Sequence, residues 1–245
     1  MIDNDGDFLQ IVGSGKEEIS KFQSVLEKAF AGKIKVDVDS RGVVTLTGDA
    51  SKLEGREKVL YDKFYAITRQ DVKEGTLIKL AGSDERSDVS VGSFRAAEVN
   101  LPSKTISFNS IDIYDIESVG KTDGTSPEGF LLHEVEETYF DQKNGNPKGG
   151  FTKAHEEAFK AQSELEGVTI IDNIGDKGLS KTGTGKSYLY YQKGDKVGVS
   201  VVTYEKGNVK ETREGSIDDF KALASLIKER QQDENNKKSD TKKKD

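Results

Sequence analysis

Two periods of apolar residues run along this chain, and each marks a different kind of element. Ile19, Phe22, Leu26 and Phe30 recur at steps of three and four in "GKEEISKFQSVLEKAF", which predicts an amphipathic helix. Ile34, Val36 and Val38 then alternate with polar residues in "KIKVDVD", and "VVTLTG" follows across "SRG", so a β-hairpin is expected. Leu53, Val59, Leu60, Phe64 and Ile67 return to helical spacing between Ala50 and Gln70. Short strands are expected at "TLIKLAG" and "DVSVG", and a longer one at "KTISFNSIDIYDI".

The second half is punctuated by caps and breakers. Ser126, Pro127 and Glu128 form a helix start, with a cap, a proline in the first turn and then an acid. That helix is expected to run to about Asp141, where "KNGNPKGG" breaks it, and a second helix should end at Gly167. "KSYLYYQKGDKVGVSVVTYEKGNVKETR" predicts a three-stranded meander, and a helix capped by Ser216 closes the fold. The expected organisation is a polar leader over residues 1–7, one α+β domain over 8–232 and a disordered lysine-rich tail over 233–245.

Composition narrows the functional classes. No apolar run of the 245 residues approaches a membrane span. None follows the N-terminus either, so no signal peptide is expected, and export would use a machine that reads no such signal or a longer parent protein. The chain has no cysteine, which removes disulfides, cysteine zinc sites and thiol catalysis. Net charge is −7, and the lysine-rich last nine residues leave a body near −10, so nucleic acid is not the expected partner.

The chain has two histidines, and each directly precedes a glutamate on an expected helix. His133 opens "HEVEE" and His155 opens "HEEAF". Residues four apart share a helix face, so His133 and Glu137 project together, with Glu134 about 100° round from His133 at the edge of that face. Ala154, Ala158 and Ala161 form a small-residue stripe on the second helix, which lets it approach the first closely and carries His155 toward the pair. Two imidazoles and a carboxylate, with water as a fourth ligand, make the donor set of an open zinc site. The expected metal ligands are therefore His133, Glu137 and His155, with Glu134 as general base; Glu156, Glu157 or Gln162 are alternatives for the third ligand. The competing reading of H-E-x-x-E is a solvated, glutamate-rich helix face.

Other motifs do not complete a site. "GTGKS" has Ser180 where a phosphate loop needs glycine, and "YLYYQ" after it reads as a strand. "DNDGD" and "DVDSRG" lack the distal glutamate of a calcium loop.

"LLHEVEETYFDQK" followed by "AHEEAFKAQSELEG" resembles the C-terminal toxin-type domains that follow Rhs repeats in large bacterial proteins, especially of the Bacteroides group. The upstream "KIKVDVDSRGVVTLTGD" and "LYDKFYAI" fit the same layout, so the similarity spans residues 20 to 170. The resemblance implies a zincin-like metallopeptidase fold with a mixed sheet. It also implies an effector delivered into neighbouring cells by a contact-dependent or type VI-like machine, a peptide substrate there and a cognate immunity protein. Gln162 stands where the family tends to carry a glutamate. The rival expectations are a non-catalytic interaction module and a pseudoenzyme of the same fold that works without metal.

Overall fold

Helices form in this chain where a cap and an apolar stripe coincide. A computed structural model describes residues 9–69, 75–82, 91–100, 105–176 and 179–241. Helix α1 (Lys16–Ala29) buries Phe22, Val25 and Leu26, and α2 (Gly55–Ile67) buries Leu60, Phe64 and Ile67. These stripes meet Phe30 and Ile34 in the main apolar core. Strands β2 (Ile34–Val38) and β3 (Val44–Gly48) pair antiparallel as the expected hairpin.

The central sheet is mixed. It contains β1 (Leu9–Ile11), β4 (Thr76–Leu80), β5 (Gly92–Asn100) and β6 (Thr105–Ile111) in the order β1-β4-β6-β5. β1, β4 and β6 run parallel, while β5 is antiparallel to β6 and forms an edge among the described residues. Of the strand expected at "DVSVG", residues 88–90 lie outside the described residues; Gly92 instead opens β5. The strand expected through "SIDIYDI" stops at Ile111. Asp112 accepts hydrogen bonds from the backbone N–H groups of Tyr114 (2.9 Å) and Asp115 (3.1 Å), and so caps a short helix, α3 (Ile113–Ser118).

Helix α4 (Pro127–Lys143) packs on the central sheet, and α5 (Phe151–Glu166) packs along α4. A second sheet follows, fully antiparallel, with β7 (Thr169–Gly175), β8 (Gly185–Lys193), β9 (Lys196–Glu205) and β10 (Asn208–Glu214) in the order β10-β9-β8-β7. The expected meander thus gains a fourth strand, β7. After α6 (Leu179–Thr182), "GTGKS" enters β8 as a turn. Strand alternation divides β9 between two cores. Val199 and Val201 meet Leu223 of α7 (Ile217–Thr241), whereas Val202 and Tyr204 join the main core.

Helix α7 continues to Thr241, past the boundary expected at residue 232. Its "KERQQDENNKKSD" contains no glycine or proline and is rich in lysine, glutamate and glutamine, which favour helix. The chain is α+β, and no helix among the described residues is long and apolar enough to cross a membrane.

One cation joins the ends of the two histidine-bearing helices. The guanidinium of Arg56 on α2 donates to Ser126 Oγ (2.8 Å) and Glu128 Oε1 (2.9 Å) at the start of α4. It also donates to the Leu165 carbonyl (3.1 Å) and the Glu166 carboxylate at the end of α5. Both carboxylates are buried, so losing the cation strands two negative charges. Arg56→Ala is expected to lower unfolding free energy by about 2 kcal/mol, below the ~3–5 kcal/mol of a fully buried pair because Arg56 is partly solvent-screened. Urea denaturation of the variant and of Arg56→Lys checks this, with the lysine recovering part of the loss.

Candidate metal centre

The site is built on a helix covered on nearly every side. Ser126 Oγ accepts from the Gly129 N–H (3.0 Å), Pro127 occupies the first turn, and α4 then buries both its apolar and its polar positions. His133, Glu134 and Glu137 are 5, 9 and 3% exposed, values that exclude the solvated-face reading of this segment. On α5, Ala154, Ala158 and Ala161 are buried, and the half-buried His155 borders them.

Three donor atoms converge. His133 Nε2 and His155 Nδ1 are 3.1 Å apart, and His155 Nδ1 is 2.9 Å from Glu137 Oε1; all three lie within 4.8 Å of one another. Tetrahedral zinc with bonds of about 2.0–2.1 Å separates its donors by roughly 3.3 Å, so both short edges match to within a few tenths of an ångström. His155 Nδ1 thus lies within hydrogen-bond distance of both other donors, where a cation could sit. The group suits a metal ion chemically as well, offering two nitrogens and one carboxylate oxygen.

The second nitrogen of His133 is committed. Its Nδ1 lies 3.1 Å from Gln162 Oε1, an acceptor, which favours the proton on Nδ1 and leaves the Nε2 lone pair facing His155 Nδ1 at 3.1 Å. Gln162 is 1% exposed, and it therefore stands behind a ligand instead of serving as the third one. Glu156 is exposed and Glu157 pairs with Lys160, so neither joins the cluster.

Asn109 on β6 connects the carboxylates. Its Nδ2 donates to Glu137 Oε2 (2.7 Å) and Glu134 Oε2 (3.2 Å), while its Oδ1 accepts from the Arg95 N–H (3.3 Å). Arg95 has a left-handed backbone (φ 53°) where β5 shifts register between Ser93 and Ala97. That conformation costs a non-glycine residue about 1–3 kcal/mol. A two-pronged pair to Asp141 on α4 (2.7 and 2.6 Å) offsets it and fastens the edge strand to the site helix. Gly92 completes the setting, because a Cβ there would lie 2.0 Å from the Glu134 carboxyl carbon.

Burial dominates the electrostatics. It holds His133 neutral, with a pKa lowered to about 3 and the nearby His155 adding to the shift against the Gln162 hydrogen bond. A neutral imidazole is the form that binds metal. Burial first and the Glu137 charge second raise Glu134 to about 8, opposed by the Asn109 hydrogen bond.

The cluster opens into a cleft of about 210 Å³. Val91 and, in β5, Gly92 and Phe94 line it, together with Asn173, Leu189 and Tyr204 of the second sheet. Grooves beside α1 and the β2–β3 hairpin are larger, about 480 and 660 Å³, but among the described residues the one group of ligand atoms able to hold a metal is His133, Glu137 and His155. Residues 105–108 of β6 pair with β5 on one side, and on the other the Gln142 and Asn146 side chains hold the Ser107 carbonyl, so this segment offers a substrate no free edge. The free edge beside the cleft belongs to β5. Tyr139 is bonded by Lys143 Nζ at 2.9 Å and does not line the cleft; of the meander tyrosines, Tyr204 does.

The three donors and the tyrosines of the meander are legible in the sequence, whereas Asn109, Gly92 and Arg95 are not singled out there. A signal existed for Asn109, because a strand whose alternate positions are apolar seldom buries an asparagine without a purpose.

Gln162→Leu, which leaves the His133 N–H unpartnered, is expected to weaken zinc binding about 10–100-fold in a chelator-competition titration, and Gln162→Glu to preserve it. Gly92→Ala is expected to displace Glu134 while the zinc content of the purified variant stays unchanged. Comparison with family models, curated proteins and solved structures finds no match to this chain.

Proposed function

We propose that this chain is a zinc-dependent peptidase of zincin-like architecture. The convergence of His133 Nε2, His155 Nδ1 and Glu137 Oε1 in a cleft that also holds Glu134 carries this reading. The sheet order supports it: three parallel strands end in the antiparallel edge strand β5, which can pair with the backbone of an extended peptide beside the site helix.

Zinc, when bound, supplies a polarised carbonyl and a water acidified to a pKa of about 7. With a metal held by His133, Glu137 and His155, Glu134 would take the proton of the attacking water and would return one to the departing amine nitrogen as the C–N bond breaks. A high proton affinity, from burial and the Glu137 charge, suits Glu134 to hold the proton between the two steps. Asn109 keeps the two carboxylates in separate orientations, with Glu137 Oε1 toward the histidines. Tyr204 offers the oxyanion a hydroxyl donor; burial, then Asp115 and Glu134, raise its pKa and keep it protonated.

The resemblance of residues 20 to 170 to Rhs-associated toxin domains adds a setting for this activity. In that setting the peptidase is a secreted antibacterial effector, delivered by a specialised secretion system and held in check in the producing cell by an immunity protein.

Glu134→Gln is expected to retain zinc and to lose about 10²–10⁴-fold in peptide cleavage. New N-termini released from denatured casein, counted by mass spectrometry with zinc-loaded wild type and variant, check this. Equal cleavage by the two would contradict the role of Glu134. Zinc-loaded wild type that cleaves nothing would favour an interaction module.

A further inference from the structure

We infer that the cleft beside His133, His155 and Glu137 selects an uncharged aromatic or large aliphatic side chain of the bound peptide. This inference rests on the peptidase reading and adds to it a substrate class. Three observations lead there.

Size comes first. A volume of about 210 Å³ lies below the ~300–1,000 Å³ of sites that enclose a whole small molecule, so the cleft takes one large side chain from a longer ligand. Lining comes second. Phe151, His155 and Phe159 follow one another at steps of four along α5 and share one face. Phe151 stacks on the His155 ring at 4.9 Å, and Phe94 of β5 meets Phe151 edge to face at 5.2 Å. Phe151 is 46% exposed, so part of its ring is open to a ligand entering the cleft.

Charge comes third. Glu134 and Glu137 are the charged side chains among the described residues lining the cleft, and no lysine or arginine lines it. Both carboxylates already accept from Asn109, and Glu137 Oε1 also faces His155, so a basic side chain finds neither of them free and an acidic one finds no lysine or arginine. Desolvating such a group without a partner is unfavourable, whereas an apolar ring gains by leaving water.

Four hydroxamic acids on zinc-loaded protein test the assignment: acetohydroxamate, and homologues carrying a benzyl, a carboxymethyl or an aminobutyl group. Calorimetric titration is expected to show the benzyl compound binding at least about tenfold tighter than the two charged ones. Phe94→Ala, which removes a wall that touches no ligand side chain, is expected to shrink that preference while one zinc per chain remains. Equal affinities across the series, or a charged compound binding best, would overturn the assignment. Zinc content and acetohydroxamate binding on the same samples separate the two readings. Zinc with acetohydroxamate bound but no benzyl preference removes the side-chain selectivity alone; no zinc removes both.

Discussion

A helix that buries His133, Glu134, Glu137, Thr138, Asp141 and Gln142 must find a partner for each of them, and the surrounding elements are placed where they supply one. Each buried polar group left unpaired would cost about 1–3 kcal/mol, comparable in sum to the whole stability of a domain. Gln142 meets the cost by acting as a piece of strand: its Oε1 accepts from the Leu77 N–H at 2.9 Å and its Nε2 donates to the Leu77 carbonyl at 3.1 Å. Thr138 Oγ1 accepts from the Asn109 N–H, and Arg95 answers Asp141. The central sheet is thus tied to α4 by polar contacts as well as by apolar packing.

Those contacts also shape the site. Arg95 accepts a left-handed backbone to reach Asp141, and the same residue's N–H holds the Oδ1 of Asn109. Asn109 then holds both carboxylates through its amide nitrogen. An edge strand, its register shift and the orientation of two glutamates belong to one network. Behind the histidines, the alanine stripe of α5 brings Gln162 to His133 Nδ1, so the helix contact that packs the core also favours one imidazole tautomer.

Much of this was legible in the sequence where local rules decide. Ser126, Pro127 and the breaker after Lys143 marked α4, and the four-residue spacing placed His133 beside Glu137. The alanine stripe pointed to the close approach that brings in His155. Long-range pairing was not legible. Nothing local distinguishes β6 as interior from β5 as edge, because that depends on β1 and β4 joining from far along the chain. Asn109 and Gly92 matter through atoms they meet across the fold, and a side chain's partners on another element leave no mark on its own periodicity. Helix α7 runs on past residue 232, where composition alone predicts a disordered tail, and the lysines, glutamates and glutamines of that run favour helix.

The central claim is that His133, Glu137 and His155 hold one metal ion. Metal analysis of protein purified without a histidine tag, beside His133→Ala, Glu137→Ala and His155→Ala, tests it most directly. The account predicts close to one zinc per chain in the wild type and loss in all three variants, with each variant still folded by circular dichroism. A folded wild type that binds no metal with zinc in excess, or variants that keep it, would contradict the account.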